Sequence, residues 1–179
     1  MIDYDADADA KTLRAMFGKP VRPTIPITLS EVALQAQKLA GKLSISGAQP
    51  KLSVRLEGEQ LVTAASEGQF ILKPQTQEFP ELPQNEYLCM QLGRRFGLNV
   101  ATCLLLELAD GSPAYLVRRF DRFKKGRRVE KLACEDMQQI LGGPDKYAGS
   151  HEQIAGAIRR HCTFAPLELQ RLFEITVFN

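Results

Sequence analysis

The sequence predicts an α+β fold in which an antiparallel sheet with helices gives way to an all-helical final third. Three patterns predict it. Between Leu52 and Pro74, apolar residues alternate with polar ones, and Gly58 and Gly68 break the alternation into three runs. That is the period of half-buried strands joined by turns. Elsewhere apolar residues recur at helical spacing behind Thr or Ser caps. From Glu135 onward only the helical period is present. Strands first and helices last make an α+β order.

Met1 to Ala10 is acidic and poor in apolar residues, so residues 1–27 are expected to be a flexible or extended segment, with Lys19 to Pro26 a proline-rich connector. Thr28-Leu29-Ser30-Glu31 fits a capping box opening a helix to about Leu39, with Gly41 as its C-terminal cap. Strands follow at Leu52–Glu57, Gln60–Ala65 and Gln69–Pro74, expected as a meander. A helix is expected from Asn85 to about Phe96, with Leu88, Leu92 and Phe96 on one face. Thr102–Leu108 and Pro113–Phe120 read as a hairpin around Asp110-Gly111. Lys124 to Arg128 is a basic turn. Short helices are expected at Glu135–Leu141, after the Ser150/Gln153 capping box, and at Leu167–Phe178. The apolar faces of the last two helices are expected to be exposed or self-associated.

Composition excludes little but bounds much. The chain has 179 residues, 44% hydrophobic and 25% charged, enough for a packed core in one domain or slightly more. A net charge of +2 favours no class of partner. The basic turn lacks interleaved aromatic residues, so direct nucleic-acid contact is not expected. Cys89, Cys103, Cys134 and Cys162 have no C-x-x-C spacing, and with His151 and His161 they complete no zinc pattern. They are expected to be reduced, in a cytoplasmic protein without a membrane span.

The chemistry-bearing candidates converge on a phosphate. Ser44-Ile45-Ser46-Gly47-Ala48-Gln49-Pro50-Lys51 is a small-residue loop that lets backbone N–H groups approach an anion, although it is not a P-loop. Lys73 ends the apolar run Phe70-Ile71-Leu72, where an ammonium either reaches phosphate oxygens or keeps an edge strand soluble. Glu86, at the start of the following helix, could pair with Lys73 or simply face water. Tyr115 to Arg122 is an apolar strand leaving the sheet, which either offers backbone N–H and C=O groups to a nucleobase edge or is an ordinary strand before a charged turn.

Taken together, the serine loop, Phe70-Ile71-Leu72-Lys73-Pro74, Asn85-Glu86-Tyr87, Tyr115 to Arg122, Glu135-Asp136-Met137 and Lys146-Tyr147 resemble the HipA kinase family of bacterial toxin–antitoxin systems. The Ser-Ile-Ser spelling and the short stretch before Ser44 are closest to its HipT branch. The resemblance implies a kinase N-lobe over residues 28–122 and the start of a helical C-lobe over 123–179. It implies ATP-binding roles for Ser46, Gly47, Ala48, Gln49, Lys73, Arg118, Arg119 and Phe120, a supporting Glu86, and autophosphorylation at Ser44 and Ser46. It further implies ATP and Mg²⁺ as cofactors, an aminoacyl-tRNA synthetase as substrate, and a HipB-like antitoxin and a small HipS-like protein as partners. In the family, G-N-x-D-x-H-x-x-N and a metal-binding Asp follow the helix that here ends Val177-Phe178-Asn179. Those groups are not in this sequence, and Asp110, Asp121, Asp136 and Asp145 are not expected to replace them. The expectation is therefore an ATP-binding portion with no catalytic or metal residue of its own. The alternative is a non-catalytic, kinase-derived module that docks the antitoxin or the small partner.

Overall fold

The alternating stretch becomes three strands of one antiparallel sheet. In the computed structural model, which describes residues 8–39, 49–64, 67–126, 128–143 and 149–179, they are β1 (Leu52–Glu57), β2 (Gln60–Thr63) and β3 (Phe70–Pro74). Two further strands, β4 (Cys103–Glu107) and β5 (Pro113–Arg118), complete the sheet in the order β2-β1-β3-β5-β4. With six helices among the described residues, the fold is α+β, the class that the sequence predicts.

The strand order corrects the expected meander. A meander would seat β2 in the middle, but β1 lies there instead, with Leu56 opposite Leu61 on one side and Leu52 opposite Leu72 on the other. Burial explains the choice. Leu52, Ser53 and Val54 are all buried, whereas Gln60 and Thr63 of β2 are exposed. The more apolar strand takes the centre and the half-polar one takes the edge. That edge is covered by the proline-rich connector: Thr24 accepts from Leu61 N and donates its own N–H to Glu59, each at 2.9 Å.

Gly68 lets the chain pass from β2 across to the far side of β1. A Cβ at Gly68 would lie 1.9 Å from Ser53 Oγ and 3.0 Å from Val54 N. Gly68→Ala is therefore expected to destabilise the fold by ~1–3 kcal/mol, the usual cost of overpacking. Adding Ser53→Ala should recover part of that loss, as read by urea unfolding of the single and double variants.

Residues 1–27 contain a helix that the sequence reading misses, α1 (Ala10–Phe17). Asp9, counted toward a flexible acidic segment, is its N-cap and accepts from Thr12 N at 2.6 Å. Leu13 and Met16 bury their side chains in the core. Two helical turns are too short for periodicity to stand out beside an acidic run. The second helix, α2 (Leu29–Leu39), has the predicted capping box: Thr28 N donates to Glu31 Oε2 at 2.7 Å, and Glu31 N donates to Thr28 Oγ1. Asp110, in the β4–β5 turn, accepts from Leu29 N at 2.9 Å and so ties the hairpin to the helix start. Gly41 lies outside the described residues.

The sheet separates two apolar clusters. On one face Leu52, Val54, Phe70, Leu72, Leu104 and Leu116 pack with Leu13, Met16 and Val32. On the other, Cys103, Leu105 and Tyr115 pack with Tyr87 of α3 (Leu82–Arg95). That helix starts three residues before the expected Asn85, because Pro83 is tolerated in a first turn. Its buried residues are Pro83, Tyr87 and Gly93, while Leu88 and Leu92 are exposed. The apolar row is thus not the buried side of the helix, since a four-residue spacing marks a stripe without saying what covers it.

The chain divides into two compact units, one drawn from Met1–Arg94 and Asn99–Lys131, the other from Arg95–Leu98 and Leu132–Asn179. The first also holds a hairpin, β6 (Arg122–Lys125) and β7 (Arg128–Lys131), where the basic turn was expected. The second holds α4 (Met137–Leu141), α5 (His151–His161) and α6 (Ala165–Phe178). Capping boxes at Asp136/Gln139 and Ser150/Gln153 start α4 and α5. Ala157 and Ile158 of α5 are buried, but α6 buries nothing, and Phe173 and Val177 are left exposed as expected. No helix among the described residues is long and apolar enough to cross a membrane.

Candidate functional site

The side chains of β3 alternate between the two faces of the sheet. Phe70, Leu72 and Pro74 are buried, and Lys73 points the other way, toward α3. Its strand partner in β5 is Tyr115, whose ring lies under the ammonium with Nζ 5.6 Å from the centroid. That geometry is a cation–π contact, which holds a lysine without neutralising it. Lys73 Nζ also donates to Glu86 Oε2 at 2.6 Å, with the two side chains about one quarter exposed. Of the two readings of Glu86, solvated or paired, the structure has the pair. Glu86 is not in the first turn of α3, however, so the helix dipole does not account for its placement. Lys73 does.

Tyr115 is the contributor that sequence reasoning missed. It is 1% exposed, and burial, followed by the neighbouring Cys103 thiol, pushes its phenol well above the ordinary range. Burial likewise raises the Cys103 thiol. Both stay neutral at physiological pH, so the sheet offers Lys73 an uncharged floor. The signal was present in the alternation Lys73, Ile71 against Tyr115, Val117, had β3 been paired with β5.

Gln49 closes one side of this region. Its side-chain amide donates to the Pro74 carbonyl at 3.1 Å, which fixes the exit of the serine loop beside the residue after Lys73. Ser44, Ser46, Gly47, Ala48, Lys146 and Tyr147 lie outside the described residues.

Arg118, Arg119 and Phe120 leave the sheet in three directions. Arg118 is on the face opposite Lys73, and its guanidinium donates to the Ala15 carbonyl at the end of α1, where a cation complements the helix dipole. Arg119 is 9% exposed and makes two 2.8 Å bonds to the Asp121 carboxylate, which also accepts from Arg122. The Arg119 hydrogen bond, above all, holds the Asp121 carboxyl below the usual carboxylate range. Phe120 is exposed. The N–H groups of Arg118 and Arg119 donate within the sheet, to Thr102 and Gln69, each at 2.9 Å. The backbone donors of both arginines are thus already engaged.

The acidic candidates have structural roles. Asp110 accepts from Leu29 N and Ser112 N, Asp121 pairs with two arginines, and Asp136 caps α4. Asp145 lies outside the described residues. Among the described residues no group of three or more His, Cys, Asp or Glu is placed to hold a metal ion.

A small antiparallel sheet carrying a strand lysine paired to a helix glutamate defines a kinase-like small lobe. The family model described as the HipA-like C-terminal domain matches residues 43–179, and the chain belongs to that family. A protein of Haemophilus influenzae (strain Rd) named "Putative kinase" is 30% identical over 171 residues, which take in 89% of this chain and 50% of that protein. "Putative kinase Y4dM" of Sinorhizobium fredii is 26% identical over 146 residues, 72% of this chain and 35% of that protein. HipA of Shewanella oneidensis MR-1, solved in complex with HipB and its operator DNA, superposes with a TM-score of 0.65 at 23% identity, over 86% of this chain and 42% of that one. This last likeness is one of fold. The chain spans half or less of the length of the relatives it matches.

Proposed function

We propose that this chain is the ATP-gripping portion of a HipA-type serine/threonine protein kinase of a toxin–antitoxin system. The observation that carries the proposal is the Lys73–Glu86 contact over the Tyr115 ring, because it holds an ammonium in place where a phosphate could meet it. Phosphoryl transfer depends on positioning and charge neutralisation, and Lys73 supplies both for the phosphates. Ser46 to Gln49 line the same phosphates through backbone groups, and the Arg118–Phe120 segment meets the adenine with the Phe120 N–H as donor. Magnesium and the catalytic carboxylate belong to the remainder of the longer protein. There Ser44 and Ser46 are the autophosphorylation sites, and the substrate is an aminoacyl-tRNA synthetase. A HipB-like antitoxin and, in a HipT-type arrangement, a small HipS-like protein are the partners. Family membership and the fold shared with the HipA of the HipB–operator complex support these assignments.

A second proposal has an observation of its own. Asp110, Asp121 and Asp136 are all engaged in caps or ion pairs, which favours a chain that binds without turnover. Two experiments address them in turn. Titration with a fluorescent ATP analogue should give saturable binding that ATP displaces; no displaceable binding at millimolar nucleotide would overturn the first proposal. Incubation with ATP and Mg²⁺, followed by mass spectrometry, should leave Ser44 and Ser46 unmodified. Phosphate on either would overturn the second.

A further inference from the structure

On the face of the sheet opposite Lys73, α1 and the sheet enclose a cleft of about 510 Å³ within the first unit. Its size is that of a small-molecule site. Arg14, Lys19, Arg118 and Arg122 line it, and among the described residues that line it none is acidic. Phe17 and Phe70, whose rings lie 5.2 Å apart, add an aromatic wall.

Three of the four cations are held in place by acceptors. Arg118 donates to the Ala15 carbonyl, Lys19 donates to the Gly58 carbonyl at 2.8 Å, and Arg122 pairs with Asp121. Carbonyls orient a cation but do not cancel its charge. Among the described residues Asp121 is the carboxylate bonded to the group, and it already serves Arg119. Arg14 has no ion pair among the described residues. Four like charges around one cleft repel each other, and an anion placed among them removes that repulsion. Arginine presents several N–H groups in a fixed fork, so Arg118 can keep the Ala15 carbonyl and still face a ligand.

We propose that this cleft binds a small anion, phosphate or carboxylate, carried on a flat apolar group. The anion meets Arg14, Lys19 and Arg122, and the flat group lies against Phe17 and Phe70. The cleft lies across the sheet from Lys73, because Arg118 and Lys73 are on opposite faces, and it meets the segment proposed for the adenine at the Arg118 side chain.

Phenyl phosphate, inorganic phosphate and benzoate are the probes. Calorimetric titration should show phenyl phosphate binding at least tenfold more tightly than inorganic phosphate, because only the former uses the aromatic wall. Benzoate then reports whether a carboxylate serves as well. Arg14→Gln, at an exposed side chain with no ion pair among the described residues, should weaken phenyl phosphate about tenfold without changing the circular dichroism. Lys73→Ala should leave phenyl phosphate binding unchanged. Equal affinity in the Arg14→Gln variant and the unaltered protein would overturn the proposal. So would loss of binding in Lys73→Ala alone, which would place the anion in the nucleotide region. Failure of ATP binding with phenyl phosphate binding intact would count against the kinase proposal and leave this one standing.

Discussion

Lys73→Ala is expected to lower ATP affinity by at least tenfold while moving the melting temperature by a few degrees at most. A charge-assisted hydrogen bond from ammonium to phosphate contributes ~1.5–3 kcal/mol, roughly a 10- to 150-fold change in affinity. The pair with Glu86 contributes far less to folding. Both side chains keep about a quarter of their surface in water, and ion pairs in that setting are worth about 0.2–1 kcal/mol. Water can solvate Glu86 once its partner is gone. Glu86→Gln should have a smaller effect, since the Tyr115 ring still lies under the ammonium. Nucleotide titration beside thermal melting separates the outcomes. Unchanged affinity with a collapsed melting temperature would make Lys73 a purely structural residue.

Asp121→Ala should produce the largest stability loss among single charge removals, about 3–5 kcal/mol by urea unfolding. Arg119 is 9% exposed, and without the carboxylate two guanidinium groups face each other with no counter-charge. The same group sets an acid limb. Because Arg119 holds the Asp121 carboxyl below its ordinary value, its contribution is fully present above the unfolded carboxylate value of about 3.9. It is lost as pH falls through the lower, folded value. Stability should therefore decline with acidification below about pH 4, and the decline should be shallower in Asp121→Asn. Equal slopes in the two proteins would mean that other carboxylates set the acid limb.

How much of this was legible before the structure differs by element. The Thr28/Glu31 and Ser150/Gln153 boxes were readable because a cap is a local bargain between residues three apart. The Lys73–Glu86 pair was readable as chemistry, since few residue types can grip a phosphate from a strand. Tyr115 was not, because it enters through the pairing of β3 with β5, a long-range register that alternation alone does not state. The misplaced β2 has the same origin: a glycine turn announces a hairpin but not which neighbour the third strand will choose. The role of Asp121 was hidden in plain view at R-x-D spacing, which in isolation looks like an ordinary charged turn.

Arg118 and Arg119 are consecutive, yet one reaches to α1 and the other to Asp121 on the far side of the strand. A single peptide unit thus joins the cationic cleft to the segment that ends at Phe120. A ligand that shifts the end of β5 beside the cleft would tilt that peptide and move the donor proposed for a nucleobase. Thermodynamic linkage then requires reciprocity: whatever factor a cleft ligand imposes on ATP affinity, ATP imposes on the ligand. Two titrations, each repeated with the other ligand saturating, would measure one coupling constant from both ends.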